Sequence, residues 1–351
     1  MKKMLFMRRL MHKHFIQITF CIALLCNVNR ASAQTTETLV QIESLLTDAL
    51  YVSKLYITPA TDAAVYQASS SWIYTPRKAK LWDVTIGLHI NTFFVPASNR
   101  KYTVNNDDFL FFEIEGGAPS ASLPTALGND DQIYLVGNID DGETQNQIRL
   151  KTPEGVDMEE IVYPYLQGAL GLPFGTELIV KYSTKVQLKR GQYQVYGAGI
   201  KHNLSQYLPK LEAKNWSLSA FGGYSKEEIT FNFLDTQTPY GSLGLNEITG
   251  LVDTWQFQLN GAKKWNKFEL MAGIITNVSN IKYEVGGERG QIEDVLPVNA
   301  IINNKLKEIY KTKTNLIGEV SGRYQFGRFY LQPTVAFGKF VNTNLSIQYE
   351  F

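Results

Sequence analysis

The 351 residues carry 34 Lys and Arg against 33 Asp and Glu, with two cysteines and four histidines. So even a balance leaves no basic footprint for nucleic acid, which is excluded as a partner. Cys and His are too few for a zinc set, and neither a metal nor another cofactor is expected.

The first 33 residues read as a cleaved signal peptide. Lys2, Lys3, Arg8, Arg9 and Lys13 precede an uncharged run from Phe15 to Val28, and Ala31-Ser32-Ala33 supplies the small-x-small cleavage pattern. Both cysteines, Cys21 and Cys26, fall in this segment, and bulky Leu25 argues against a lipoprotein signal at Cys26. Six of the 34 basic residues leave with it, so 28 face 33 acidic ones and the mature net charge is −5. No later segment approaches the ~18 uncharged apolar residues of a membrane helix. If the mature chain is integral to a membrane, it spans as a barrel.

Residues 36–56 show helical periodicity. Leu39, Ile42, Leu45, Leu46, Ala49, Val52 and Leu55 follow i, i+3, i+4 spacing, and Pro59 is expected to end the helix. The stripe of Leu39, Ile42, Leu46 and Ala49 must dock on something, and 34–78 is expected to plug or cap a barrel formed by 79–351.

From about residue 79 the period becomes two. Trp82, Val84, Ile86, Leu88 and Ile90 oppose Asp83, Thr85, Gly87 and His89, and Leu178, Val180 and Tyr182 oppose Glu177, Lys181, Ser183 and Lys185. Trp265-Asn266-Lys267-Phe268 and Phe326-Gly327-Arg328-Phe329 read as tight hairpins flanked by aromatics, and Pro173-Phe174-Gly175 as a third short turn on the same side. The opposite connections include long polar stretches at 227–249 and 284–312. Nine strands are expected between 160 and 351, with three more in 79–138. The fold class is all-β: a transmembrane antiparallel barrel of about twelve strands, range about ten to fourteen, with an N-terminal amphipathic helix.

Inward polar positions are the candidate lumen residues: His89, Lys181, Lys185, Glu319 and Arg323. They suit either a polar conduit or a packed, salt-bridged interior. Lysine on the outward positions Val180, Leu270 or Ile347 should be costly, and on the inward positions Ser183 or Gln348 cheap. His89 and His202 belong to no Ser/His motif, so no enzyme is expected. The acidic loops 128–131 and 138–143 offer oxygen ligands without EF-hand spacing. Pro333 lies mid-strand, where it removes a ladder donor and suggests a bulge or a lateral opening.

The chain ends in a strand. Leu345, Ile347, Tyr349 and Phe351 share one face, as a closing strand requires. A terminal aromatic of this kind resembles the signal read by the barrel-insertion machinery of bacterial outer membranes. Further segments resemble a Bacteroidetes-type family of outer-membrane barrels of unknown function. They are the 36–56 helix with Tyr56-Ile57-Thr58-Pro59, Ser69-Ser70-Ser71 before Trp72, Pro124-Thr125-Ala126-Leu127-Gly128, and Gly171-Leu172-Pro173-Phe174-Gly175-Thr176-Glu177-Leu178. Gly197-Ala198-Gly199-Ile200-Lys201-His202 and Tyr207-Leu208-Pro209 complete the set. Ser71 stands where that pattern calls for Gly. More distantly, the helix before the first strand is similar to the long-chain fatty-acid transporter barrels, which implies uptake through a plugged barrel. The resemblance implies an outer membrane in a Gram-negative bacterium. Expected partners are its lipid, the insertion machinery and a small or hydrophobic solute. The leading expectation is a passive channel or transporter; the alternative is a non-conducting surface-interaction barrel acting through its loops.

Overall fold

The two-residue period resolves into ten antiparallel strands that close on themselves. They are β1 (Val84–Phe94), β2 (Glu160–Leu172), β3 (Thr176–Tyr182), β4 (Gly191–Asn203), β5 (Trp216–Asn232), β6 (Glu247–Trp265), β7 (Phe268–Gly286), β8 (Lys311–Phe326), β9 (Phe329–Phe337) and β10 (Val341–Glu350). Each pairs with its neighbour in chain order, and β10 closes on β1 with Leu88 opposite Ile347. The computed structural model describes residues 40–140, 145–232, 237–238, 241–242, 246–288, 290 and 297–351. The expected signal peptide and Leu39 lie outside the described residues, as do parts of the loops 138–143, 227–249 and 284–312.

Ten strands is the lower end of the expected range, and the difference lies between 79 and 138. Only β1 from that region enters the wall. Lys101–Asn105 pairs with Ser120–Pro124, and Glu113–Ile114, Tyr134–Asp140 and Gln145–Lys151 form a separate small sheet. Segments of two to seven residues fall short of the ~9–11 that a spanning strand needs.

The two hairpin turns have the geometry that their residues permit. Asn266 and Gly327 sit first in their two-residue loops with φ of 53° and 67°. Asn and Gly tolerate the left-handed region that a tight hairpin requires there. Around these turns Trp265 stacks with Phe268, Phe326 with Phe329, and Tyr349 packs edge-on against both Phe329 and Phe351. Pro333 leaves the wall regular: the β8–β9 register is unchanged on either side of it, with the rungs at Gly322 and Arg323 missing. An absent N–H costs a rung without forcing an extra residue, so no bulge forms.

Chain contacts divide the molecule into two units. The larger holds the barrel together with 50–104, 120–133 and 151–351. The smaller comprises, among the described residues, 40–49, 105–119, 134–140 and 145–150. Within it, the Asp48 carboxylate accepts the backbone N–H groups of Leu110, Phe111 and Phe112 at 2.7–3.1 Å. Arg149 pairs with Glu115 at 2.7 Å and lies over the Tyr134 ring.

Helix α1, described over 40–69, does not stop at Pro59. An interior proline removes one helical hydrogen bond and crowds the preceding turn, at a cost of ~3 kcal/mol. Burial offsets that cost: Tyr56, Ile57, Ala60, Ala63, Ala64 and Ala68 are all buried in one core with inward residues of the wall. Small residues at i, i+3 and i+4 let the helix fit within the ring.

Candidate functional site

The interior of the barrel is built by the inward face of the strands, apolar as well as polar, and by one segment, residues 50–78. Its loop-end layer centres on Asp62. The buried carboxylate meets Lys311 at 3.2 Å, Lys313 at 2.5 Å and Lys339 at 3.3 Å. The adjacent Thr61 lies 3.3 Å from the Tyr283 hydroxyl, and one turn on Tyr66 donates to Asn315 while packing edge-on against Phe340.

The middle layer receives the C-terminus of α1. Helix ends leave carbonyls unpaired and favour cations. Lys181 supplies both needs, donating to Ala68 O at 3.2 Å and Ser70 O at 2.9 Å. Its ammonium also sits over the Trp72 and Tyr165 rings at 4.4 and 4.8 Å. Ser71 turns the chain with φ of 60°, the left-handed conformation that Gly adopts most readily. Its N–H donates to Glu319 at 2.6 Å, which helps hold that unfavourable backbone in place. Asn277 donates to Ser69 and Asn342 to Ser70, while Gln167 donates to Trp72 O.

Below this, Tyr74 donates to Gln167 O at 2.7 Å, and its hydroxyl lies where a Cβ on Gly87 would sit, 2.5 Å away. Glycine at that wall position is therefore a requirement of close approach. At the turn end, Thr75 donates to Glu269 at 2.6 Å and Arg77 pairs with the same carboxylate at 3.2 Å. Lys201 donates to Thr75 O, Arg77 O and Glu177, and Asn203 to Pro76 O.

Four of the five lumen candidates face inward and are buried: His89, Lys181, Glu319 and Arg323. Lys181 and Glu319 meet at the end of α1. His89 is stacked between Tyr74 and Tyr165 and lies 2.9 Å from Asn344, while Arg323 donates to Gln348 and lies over Tyr330. Lys185 is elsewhere. The strand breaks after Tyr182 and resumes at Val186–Leu188 one residue out of phase, so Leu188 turns inward and Lys185 pairs with Glu228 at the surface. A one-residue slip inverts every following side chain. His202 lies near the turn end against Thr176 and Tyr207. Ile42, Leu46 and Ala49 are half-buried in the smaller unit. Leu345, Ile347 and Phe351 face outward, and the Phe351 N–H donates to Val84 O.

Sequence reasoning missed Asp62, Lys201 and Lys339, and it missed the hydroxyl run Ser69–Ser71 as a set of wall contacts. A signal was present: 57–69 contains one charge, Asp62, among apolar and small residues. So isolated a charge in an apolar helix calls for a paired, buried partner.

A family model describing this sequence from end to end would decide kinship, and residues 11–351 match one. The chain belongs to the family of unknown function DUF6588. A comparison with curated proteins finds no match. Among solved structures, the COG4313 outer membrane channel from Pseudomonas putida F1 is 9% identical with a TM-score of 0.34, covering 80% of this chain and 99% of that one. The outer membrane protease OmpT from Escherichia coli is 11% identical with a TM-score of 0.29, covering 81% and 100%. Ail of Yersinia pestis, in complex with a heparin analogue, is 7% identical with a TM-score of 0.28, covering 78% and 100%. At these values the likenesses carry no argument about this DUF6588 protein's activity.

Proposed function

We propose that this DUF6588 member is an outer-membrane channel for small polar solutes, closed by its own segment 50–78. The observation that carries the reading is where the wall's buried charges end. Lys181, Lys201, Glu269 and Glu319, each from a different strand, are bonded to that one segment. Buried ions are costly without partners; Lys201 and Glu319 are also bonded within the wall, to Glu177 and Gln258, whereas the hydrogen bonds of Lys181 go to the segment. Withdrawal of the segment would bare these four charges to the lumen, beside apolar inward residues of the loop-end half such as Ile229, Val252 and Ile281. The β5–β6 face supports this: Glu227 Oε2, Asn260 Nδ2 and both amide atoms of Gln256 are inward and have no hydrogen-bond partner among the described residues. An outward face of Leu88, Val180, Phe257, Leu316 and Ile347, all exposed, suits lipid. The closing strand with Phe351 supports recognition by the insertion machinery. Changing Phe351 to Asp should then lower the amount of heat-modifiable barrel.

Deleting 35–78 while keeping the signal peptide should produce steady single-channel conductance in planar bilayers. Deleting only 35–56 leaves 57–78 in the lumen and should keep the barrel closed. If the longer truncation fails to fold, Asp62→Lys sets a fourth lysine against Lys311, Lys313 and Lys339 and should raise the frequency of openings. Silent bilayers from a folded 35–78 deletion would favour the second reading, a non-conducting surface barrel, for which the occupied lumen is the supporting feature.

A further inference from the structure

Two strands of the wall act as rulers for the interior segment. Along β8, Lys311 and Lys313 meet Asp62, Asn315 meets Tyr66, and Glu319 meets Ser71. Along β7, which runs the other way, Glu269 meets Thr75, Asn277 meets Ser69, and Tyr283 meets Thr61. Both orders place residues 61–62 at the long-loop end and 75–77 at the tight-turn end. Tyr56 sits further toward the loops: its hydroxyl donates to Glu154 O, its ring packs against Phe231 at the end of β5, and its carbonyl accepts from Ala126 N. At the other end Trp82 N donates to Gly171 O just before β1 begins. The chain therefore passes through the lumen once, from loop end to turn end, and only then starts the wall.

Short turns mark the periplasmic end of such barrels and long loops the extracellular end. We propose that the chain ahead of Leu50 leaves the barrel on the extracellular face, so that the protein carries its own N-terminal region across the outer membrane and displays it at the cell surface. The lumen below residue 56 is occupied down to Arg77, which leaves the preceding chain no return path inside the wall. Export delivers the N-terminus to the periplasm first, so this region must cross the barrel before or while β10 closes on β1. The proposal rests on the outer-membrane reading but not on conduction.

The absence of cysteine after residue 26 makes the test direct. Single cysteines at Lys54, at Lys307 in the 287–310 connection and at Lys267 in the β6–β7 turn are exposed reporters. Each is treated with a membrane-impermeant maleimide on intact cells and again after the outer membrane is permeabilised. Lys54→Cys should label in intact cells as fully as Lys307→Cys, and Lys267→Cys only after permeabilisation. Lys54→Cys labelled only after permeabilisation, beside a normally behaving Lys307→Cys, would overturn the threading alone. Lys267→Cys labelled in intact cells would overturn it together with the assignment of loops to the outside. If Lys54→Cys labels in neither preparation, an epitope inserted after Gln34 decides: antibody binding to intact cells supports the proposal, and binding only after lysis refutes it.

Discussion

The outer and inner faces of the wall share one period and are stabilised by different surroundings. Outside, Val180, Leu270 and Ile347 stand exposed and apolar; inside, one residue along, Lys181, Glu269 and Gln348 are buried and polar. On the proposed outer-membrane reading, the outer face needs only lipid. Much of the inner one's hydrogen bonding is made to 50–78 and to neighbouring strands, so polar and inward does not here mean solvated. Lysine at Ser183 or Gln348, cheap in a water-filled lumen, is not cheap in this one.

That contrast can be broken first at Gln348. It accepts from Arg323 and donates to Gln332 and Ser346. Gln348→Lys would set a second cation beside a buried guanidinium, and an uncompensated buried charge costs about 3–5 kcal/mol. Bilayer refolding should show that loss; a negligible change would mean that the interior is wet. On the outer face, Val180→Lys, Leu270→Lys and Ile347→Lys should each lower refolding stability by about 2–4 kcal/mol near the midplane. Unchanged midpoints there would remove lipid as the outer solvent. The smallest effect is expected at Lys185. Its pair with Glu228 is exposed, so Lys185→Ala should cost no more than about 1 kcal/mol. A loss as large as that of Gln348→Lys would return Lys185 to the lumen.

How much was legible follows from which physics each region obeys. Wall strands such as β7 and β10 are readable because exposed outward and buried inward positions alternate strictly, with nothing local to disturb them. Alternation alone places Lys185 inward; a break at 183–185 changes the phase, and neither Thr184 nor its neighbours signal it in residue type. Helix propensity makes Pro59 a stop; tertiary burial of Tyr56, Ile57 and Ala60 overrides it. The 96–160 region resisted because its short strands pair among themselves and repeat no spanning length. Lys181 and Glu319 were legible as inward residues. Their partners, Ala68, Ser70 and Ser71, are backbone groups, and backbone contacts leave no mark in residue type.

Hydrogen exchange of the amides from Ala60 to Ser71 in the folded barrel reaches the central claim, that 50–78 is packed within the lumen. Protection should match that of β7 and β8, including the Ser71 amide bonded to Glu319. Exchange of these amides as fast as that of the turn at Gly327 and Arg328, with the strands still protected, would contradict it.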